Sequence, residues 1–297
     1  MSSVSRIAVV AVVVAVTAAV GLSVASVRAG ERAVVHLTAP PMTVREIAPD
    51  PHALRVCADP NNLPFSNAAG EGFENAIATL VARDLGKQLR YFWMPQRRGF
   101  VRNSLRVGVC DLIIGVPAHY ERVRTTRPYY RSSYVFVTRG RSPAPRSLDD
   151  PVLRHATIGI QITGDDYENP PAAEALAARH LADRVRGYPV YGDYSRPDPQ
   201  RAVVDDVGQG RIDTAIVWGP IAGYFARGSK VPLHLSAVSP ERDPVAGPFT
   251  FDIAMGVRSE DVVLARVLDE EIARRQADID AILRRFGVPL VDRRAGS

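Results

Sequence analysis

Cys57 and Cys110 are the only cysteines in this 297-residue chain, and the first side chains with an obvious chemistry. Two cysteines without histidines at ligand spacing do not make a zinc site. The six histidines (His36, His52, His119, His155, His180 and His234) show no such spacing. No G-x-S-x-G, H-E-x-x-H or P-loop pattern occurs. Gly208-Gln209-Gly210 closes a predicted helix instead of following a strand, so it is no dinucleotide fingerprint. The acid pairs Asp149-Asp150 and Asp205-Asp206 fall in a loop and on a helix, where solvation accounts for them. What remains is a set of Asn, Pro and aromatic residues at predicted strand ends. Asn61, Asn62, Pro64 and Phe65 lie in DPNNLPFSN, Pro117 and Tyr120 in PAHY. Gln161, Thr163 and Tyr167 follow one later strand, Tyr194 another, and Trp218, Gly219 and Pro220 a third. Glu74 is the one acid to watch beside them. These residues form a candidate ligand or partner cleft; no catalytic residue, metal or resident cofactor is expected, and the chain does not read as an enzyme.

The elements that must position these residues come in two similar halves. LRVCAD (54–59), LRYFWM (89–94) and DLIIGV (111–116) read as buried strands. FENAIATLVARDL places Phe73, Ile77, Leu80 and Val81 on one helical face, with Gly86 as the stop. A short helix with Phe100, Val101 and Leu105 ends near Gly108. Downstream, ATIGIQ (156–161), GYPVYG (187–192) and IDTAIVW (212–218) read as strands. A helix opened by Pro170-Pro171 and running to Leu181, and a second over RAVVDDVGQ, separate them. Each half is β-α-β-α-β, which implies parallel strands with right-handed crossovers. YVFV (134–137) and FTFDIAMGV (249–257) are further strands, and two helices are expected between Ser259 and Phe286. The prediction is α/β, with lobe 1 over 51–140 and 248–297 and lobe 2 over 141–247, joined by two crossings around a central cleft. In open α/β sheets ligands bind beyond the carboxyl ends of strands, where the candidate residues lie.

The first thirty residues are not fold. Arg6 precedes an apolar run over 7–27, and Val27-Arg28-Ala29 offers a small-x-small cleavage site. Residues 1–29 are read as a secretory signal peptide, with an uncleaved anchor as the alternative because the run is long enough to span a bilayer. Residues 30–50, rich in Pro and charge, are expected to be a flexible segment. The body is therefore exported to the periplasm, where thiols oxidise, and Cys57 and Cys110 sit in strands predicted to be neighbours. A Cys57–Cys110 disulfide is expected. Net charge is +5, carried almost entirely by scattered arginines. No basic tract with interleaved aromatics favours nucleic acid, and no later segment is apolar enough to span a membrane.

LRVCADPNNLPFSN, GFE (72–74), CDLIIGV, RPYYRSSYVFV, GIQITGDDY and IDTAIVWGPIAGYFA together resemble the extracellular solute-binding proteins of the amino-acid-binding type, family 3. PQRRGFVRNSL, GVPAHYERVRTTRPYYRSSYVFV and WGPIAGYFA resemble one subgroup more closely: MxaJ/XoxJ, the binding-protein-like components encoded with pyrroloquinoline-quinone (PQQ) methanol dehydrogenases. The resemblance covers about 54–290. It implies a type II periplasmic-binding-protein fold and an accessory role in maturation or activation of the dehydrogenase in methanol oxidation. The dehydrogenase would be the protein partner and would itself hold the PQQ and its calcium or lanthanide. The competing reading is the substrate-binding protein of an ABC transporter for a small neutral or aromatic solute.

Departures from the amino-acid-binding pattern sharpen this. Those relatives hold the ligand carboxylate with a T-x-T-x-x-R-like stretch after the third strand, and the ammonium with an acid after the last strand of lobe 2. Here the first stretch is PAHYER: Pro117 has no N–H to donate, and the segment is one residue short, so Arg122 is not expected in the usual place. Trp218 or Gly219 stands where the acid would be. Asp165 and Asp166 at a helix entry would compete with an anionic ligand. An aromatic, weakly charged cleft suits a neutral ligand or an inserted peptide segment.

Overall fold

The computed structural model describes residues 50–140, 142, 144–162, 170–189 and 194–292. The chain divides into two units, Met1–Met42 and Thr43–Ser297, and everything below concerns the second. The leader expected at 1–29 and the segment at 30–49 lie outside the described residues.

Strand β1 (Ala53–Ala58) is buried at all six positions, as a parallel strand covered on both faces must be. A hairpin of β2 (Asn61–Asn62) and β3 (Ser66–Asn67) follows at its carboxyl end. Helix α1 (Phe73–Asp84) buries Phe73, Ile77, Leu80 and Val81, carries Glu74 in its first turn and Arg83 in its last, and stops before Gly86 at φ +63. Strand β4 (Gln88–Trp93) returns in parallel with β1, from Ala53 opposite Gln88 to Ala58 opposite Trp93. A single turn of helix, α2 (Phe100–Asn103), leads to β5 (Ile113–Pro117), tied to β1 by a parallel bridge from Val56 to Leu112. Cys57 and Cys110 form the expected disulfide at a Cα–Cα distance of 5.5 Å, within the range that bridges occupy, and Phe100, Leu105 and Val116 pack around it.

After β6 (Arg124–Thr125), the ten-residue strand β7 (Tyr130–Arg139) runs through both halves of the molecule. Its first part, Tyr130 to Ser133, pairs antiparallel with β14 (Thr250–Val257). Its second part, from Tyr134 onward, pairs with β10 (Thr214–Trp218) on one side and β11 (Leu233–Ala237) on the other. The second half adds β8 (Ile158–Ile162) and β9 (Val185–Pro189), parallel to each other, with β10 parallel to β8. The central sheet runs β5-β14-β7-β10-β8-β9 and links the two lobes. A second short hairpin, β12 (Arg242–Asp243) with β13 (Gly247–Pro248), precedes β14.

Helices α3 (Pro171–Ala178) and α4 (Ala202–Gly208) flank β8–β10. Helix α3 ends three residues earlier than expected, because the chain turns through His180 at φ +57. Helix α5 (Gly219–Arg227) starts directly from Trp218, so the Gly-Pro pair opens a helix. Gly219 is required there: a Cβ would stand 2.5 Å from the Ser133 carbonyl oxygen and 2.8 Å from Ser132 Oγ. The tail is one helix, α6 (Val262–Arg285), where two were expected. It has no internal Gly or Pro, and Ala265, Leu268, Ile272, Ile279 and Leu283 keep a single face buried along its whole length. That face closes the first lobe's core over Leu54, Ile77, Leu112 and Met255. Separate apolar clusters fill the second lobe on either side of its sheet.

Candidate functional site

Between the lobes lies a cavity of about 290 Å³. The β2–β3 hairpin supplies Asn62 and Phe65, helix α1 Glu74, and β5 Gly115, Val116 and Pro117. Strands β7 and β14 add Tyr130, Tyr134, Phe251 and Ile253, and the second lobe adds Gln161, Gln200, Trp218 and Ile221.

Trp218 explains why a buried strand ends on so large a side chain. It is half-buried and packs on the apolar clusters of both lobes. Its ring centroid lies 5.4 Å from Tyr134 and 5.8 Å from Phe251, in tilted and edge-on arrangements favoured by aromatic pairs. The indole therefore bridges the sheet at the crossing and faces the cavity.

Among the described residues Glu74 is the only acidic residue lining the cavity, and no Arg, Lys or His lines it. Its carboxylate lies against Gly115, where a Cβ would collide with Oε1. Tyr91, Tyr129 and Tyr130 are the titratable groups around it, and burial raises all three above the ordinary phenol value. Glu74 keeps some surface exposure where it lines the cavity, and burial pushes its carboxyl up to about 8. Its side chain makes no hydrogen bond or ion pair to any described residue.

Polar side chains close the lobes on each other. Asp59, 2 % exposed, accepts from the backbone N–H of Asn61 (2.8 Å) and of Gln96 (2.7 Å), and from the Tyr194 hydroxyl of the second lobe (2.8 Å). Asn61 Nδ2 donates to the Arg196 carbonyl at 2.8 Å. A chain of amides then spans the gap: Gln161 Nε2 donates to Gln200 Oε1 (3.3 Å), Gln200 Nε2 to Asn62 Oδ1, and Asn62 Nδ2 to Gln96 Oε1 (3.0 Å). Buried amides satisfied in this way hold a specific geometry.

Of the residues singled out in the sequence, Asn62, Phe65, Glu74, Pro117, Gln161 and Trp218 line the cavity. Asn61 and Tyr194 act in the contact between lobes. Pro64, Gly219 and Pro220 are buried, each next in sequence to a lining residue, and do not themselves line the cavity. Tyr120 does not reach it: the turn from Pro117, with His119 at φ +64, carries the ring onto the cluster around the disulfide. Arg122 is exposed on the same turn and lines no part of the cavity. Thr163 and Tyr167, like Asp165 and Asp166, lie outside the described residues. Asp59, Gln96 and Gln200 were missed. Asp59 stood at the end of a predicted buried strand, which is a signal; the two glutamines gave none.

The fold is that of a two-lobed, type II periplasmic binding protein. No family model matches the sequence. It is 33% identical over 251 residues to the protein MoxJ of Methylorubrum extorquens, covering 82% of this chain and 83% of that one. The crystal structure of the periplasmic binding protein XoxJ from Methylobacterium extorquens AM1 matches with a TM-score of 0.66 at 40% identity, covering 81% of this chain and all of that one. MxaJ from Methlophaga aminisulfidivorans MPT matches with a TM-score of 0.70 at 25% identity, over 80% of this chain and all of that one. The chain belongs to the MoxJ family, the MxaJ/XoxJ subgroup of the family 3 solute-binding proteins. Amino-acid-binding proteins share the fold at lower identity, such as an ancestral cationic amino-acid-binding protein at 17% and a TM-score of 0.60.

Proposed function

We propose that this protein is a periplasmic accessory factor for a PQQ-dependent methanol dehydrogenase, binding that enzyme or a segment of it and assisting its maturation in methanol oxidation. It acts as a binding protein and not as an enzyme, and the dehydrogenase holds the PQQ and the calcium or lanthanide. Kinship with periplasmic XoxJ supports the compartment and the pathway. The observation that carries the reading is the cavity: no cationic side chain lines it among the described residues, so the carboxylate of a free amino acid would have no partner. The cleft is thus not that of an ordinary amino-acid receptor. Among the described residues no helix is long and apolar enough to cross a membrane.

The residues proposed to carry the contact are those of the cleft wall, Trp218 above all. Co-purification from methanol-grown cells tests this. The dehydrogenase is expected to accompany the wild-type protein and to be reduced with Trp218→Ala, and a strain lacking the protein is expected to hold inactive or metal-poor enzyme. Normal dehydrogenase activity and metal content in that strain would refute the reading. A second reading, a receptor for a small solute, is favoured by one observation: the lobes enclose a cavity of about 290 Å³, the size of a small molecule.

A further inference from the structure

The charge distribution of the cavity is lopsided. Five rings (Phe65, Tyr130, Tyr134, Trp218 and Phe251) surround a space whose only full charge among the described residues, when ionised, is the Glu74 carboxylate. That carboxylate has a fixed position. It is the second residue of α1, whose N-terminus favours a negative group, and it is pressed onto the bare Cα of Gly115. The groups facing it from β4 and β7 are the phenols Tyr91, Tyr129 and Tyr130, none of which carries a compensating charge. Aromatic faces attract cations through the ring quadrupole, more strongly where water is excluded. An acid with no partner among the described residues, beneath a wall of rings, is complementary to a positive, apolar-shelled group. A zwitterion brings a carboxylate that no described residue of the lining receives.

We propose that the cleft binds a small organic cation, an alkylated ammonium without a carboxylate, with Glu74 as its counter-ion and Trp218, Tyr134 and Phe251 as its cage. This rests on the cleft being a binding site but not on the dehydrogenase partnership. The size fits: about 290 Å³ lies at the small end of ligand cavities. Because burial holds the empty carboxyl near 8, binding a fixed cation at neutral pH must expel the proton that Glu74 carries.

Isothermal titration calorimetry with tetramethylammonium tests this, run near pH 7 in phosphate and in HEPES, whose ionisation heats differ. The probe cannot titrate, so any proton released comes from the protein. Binding is expected with net release of protons, because burial keeps Glu74 largely protonated in the empty cleft at that pH. Glu74→Gln is expected to weaken binding by roughly tenfold or more and to abolish the proton release. tert-Butanol, a neutral molecule of similar shape, is expected to bind more weakly than the cation. No binding up to millimolar tetramethylammonium, equal affinity for tert-butanol, unchanged affinity in Glu74→Gln, or binding without proton release would each overturn the proposal. None of these outcomes bears on co-purification with the dehydrogenase, so the two readings fail separately.

Discussion

Glu74→Gln is expected to stabilise the empty protein at neutral and alkaline pH and to change little near pH 5. In the folded chain the carboxyl is held up to about 8 by burial; in the unfolded chain it returns to the ordinary range, about 4.3. Between those values the unfolded state has released a proton that the folded state retains. Stability from this group is therefore fully present below the unfolded value, falls as pH rises, and levels off above the folded one. Each pH unit in that window is worth about 1.4 kcal/mol, so the cost at pH 7 reaches about 4 kcal/mol as an upper figure, reduced by the residual exposure of the side chain. Glutamine has the same shape and no proton to lose, and the wild-type carboxylate gives up no hydrogen bond to any described residue when replaced. Urea unfolding of both proteins at a series of pH values reads the difference. The midpoint gap should open steadily from about pH 5 to about pH 8 and then hold constant. A gap independent of pH, or a variant less stable than wild type near pH 8, would refute the assignment of Glu74 to a desolvated position.

Two further outcomes follow from the same geometry. The disulfide closes a loop of 53 residues, so Cys57→Ser with Cys110→Ser is expected to cost about 2–5 kcal/mol in denaturant unfolding; an unchanged midpoint would show that the bridge constrains nothing. The common α-amino acids are expected to give no micromolar binding by calorimetry, because a buried carboxylate without a partner costs about 3–5 kcal/mol, a hundredfold or more in affinity. A micromolar constant for any of them would contradict the cavity as described.

What could be read in the chain beforehand was whatever leaves a local pattern. Strand β1 is apolar throughout because it is covered on both faces, and α1 repeats its buried residues every three or four positions. The order of such elements implied two α/β halves, and placing the cysteines on neighbouring strands implied the bridge. Trp218 at a strand end pointed to the cleft because a ring that size rarely terminates a buried strand without a surface to meet. The single tail helix was harder: two helices were expected, whereas the core of the first lobe runs under one continuous helix along its whole length.

The chemistry of the cleft was decided by tertiary structure. Glu74 alone reads as an ordinary first-turn acid of a helix; β5, which brings Gly115 onto its carboxylate, makes it a desolvated one. Gln96 lies in a loop, Gln200 in a single 3-10 turn (Pro199–Arg201) and Asn62 in a short hairpin, where no periodicity marks a partner, and they meet only because β7 carries the chain across and sets one lobe over the other. Tyr120 was drawn away from the cleft by a left-handed turn at His119. Hydrophobic periodicity is a property of each segment and survives in the sequence. The partner of a polar side chain is a property of the fold, because residues more than a hundred positions apart must first be brought within a hydrogen bond's length.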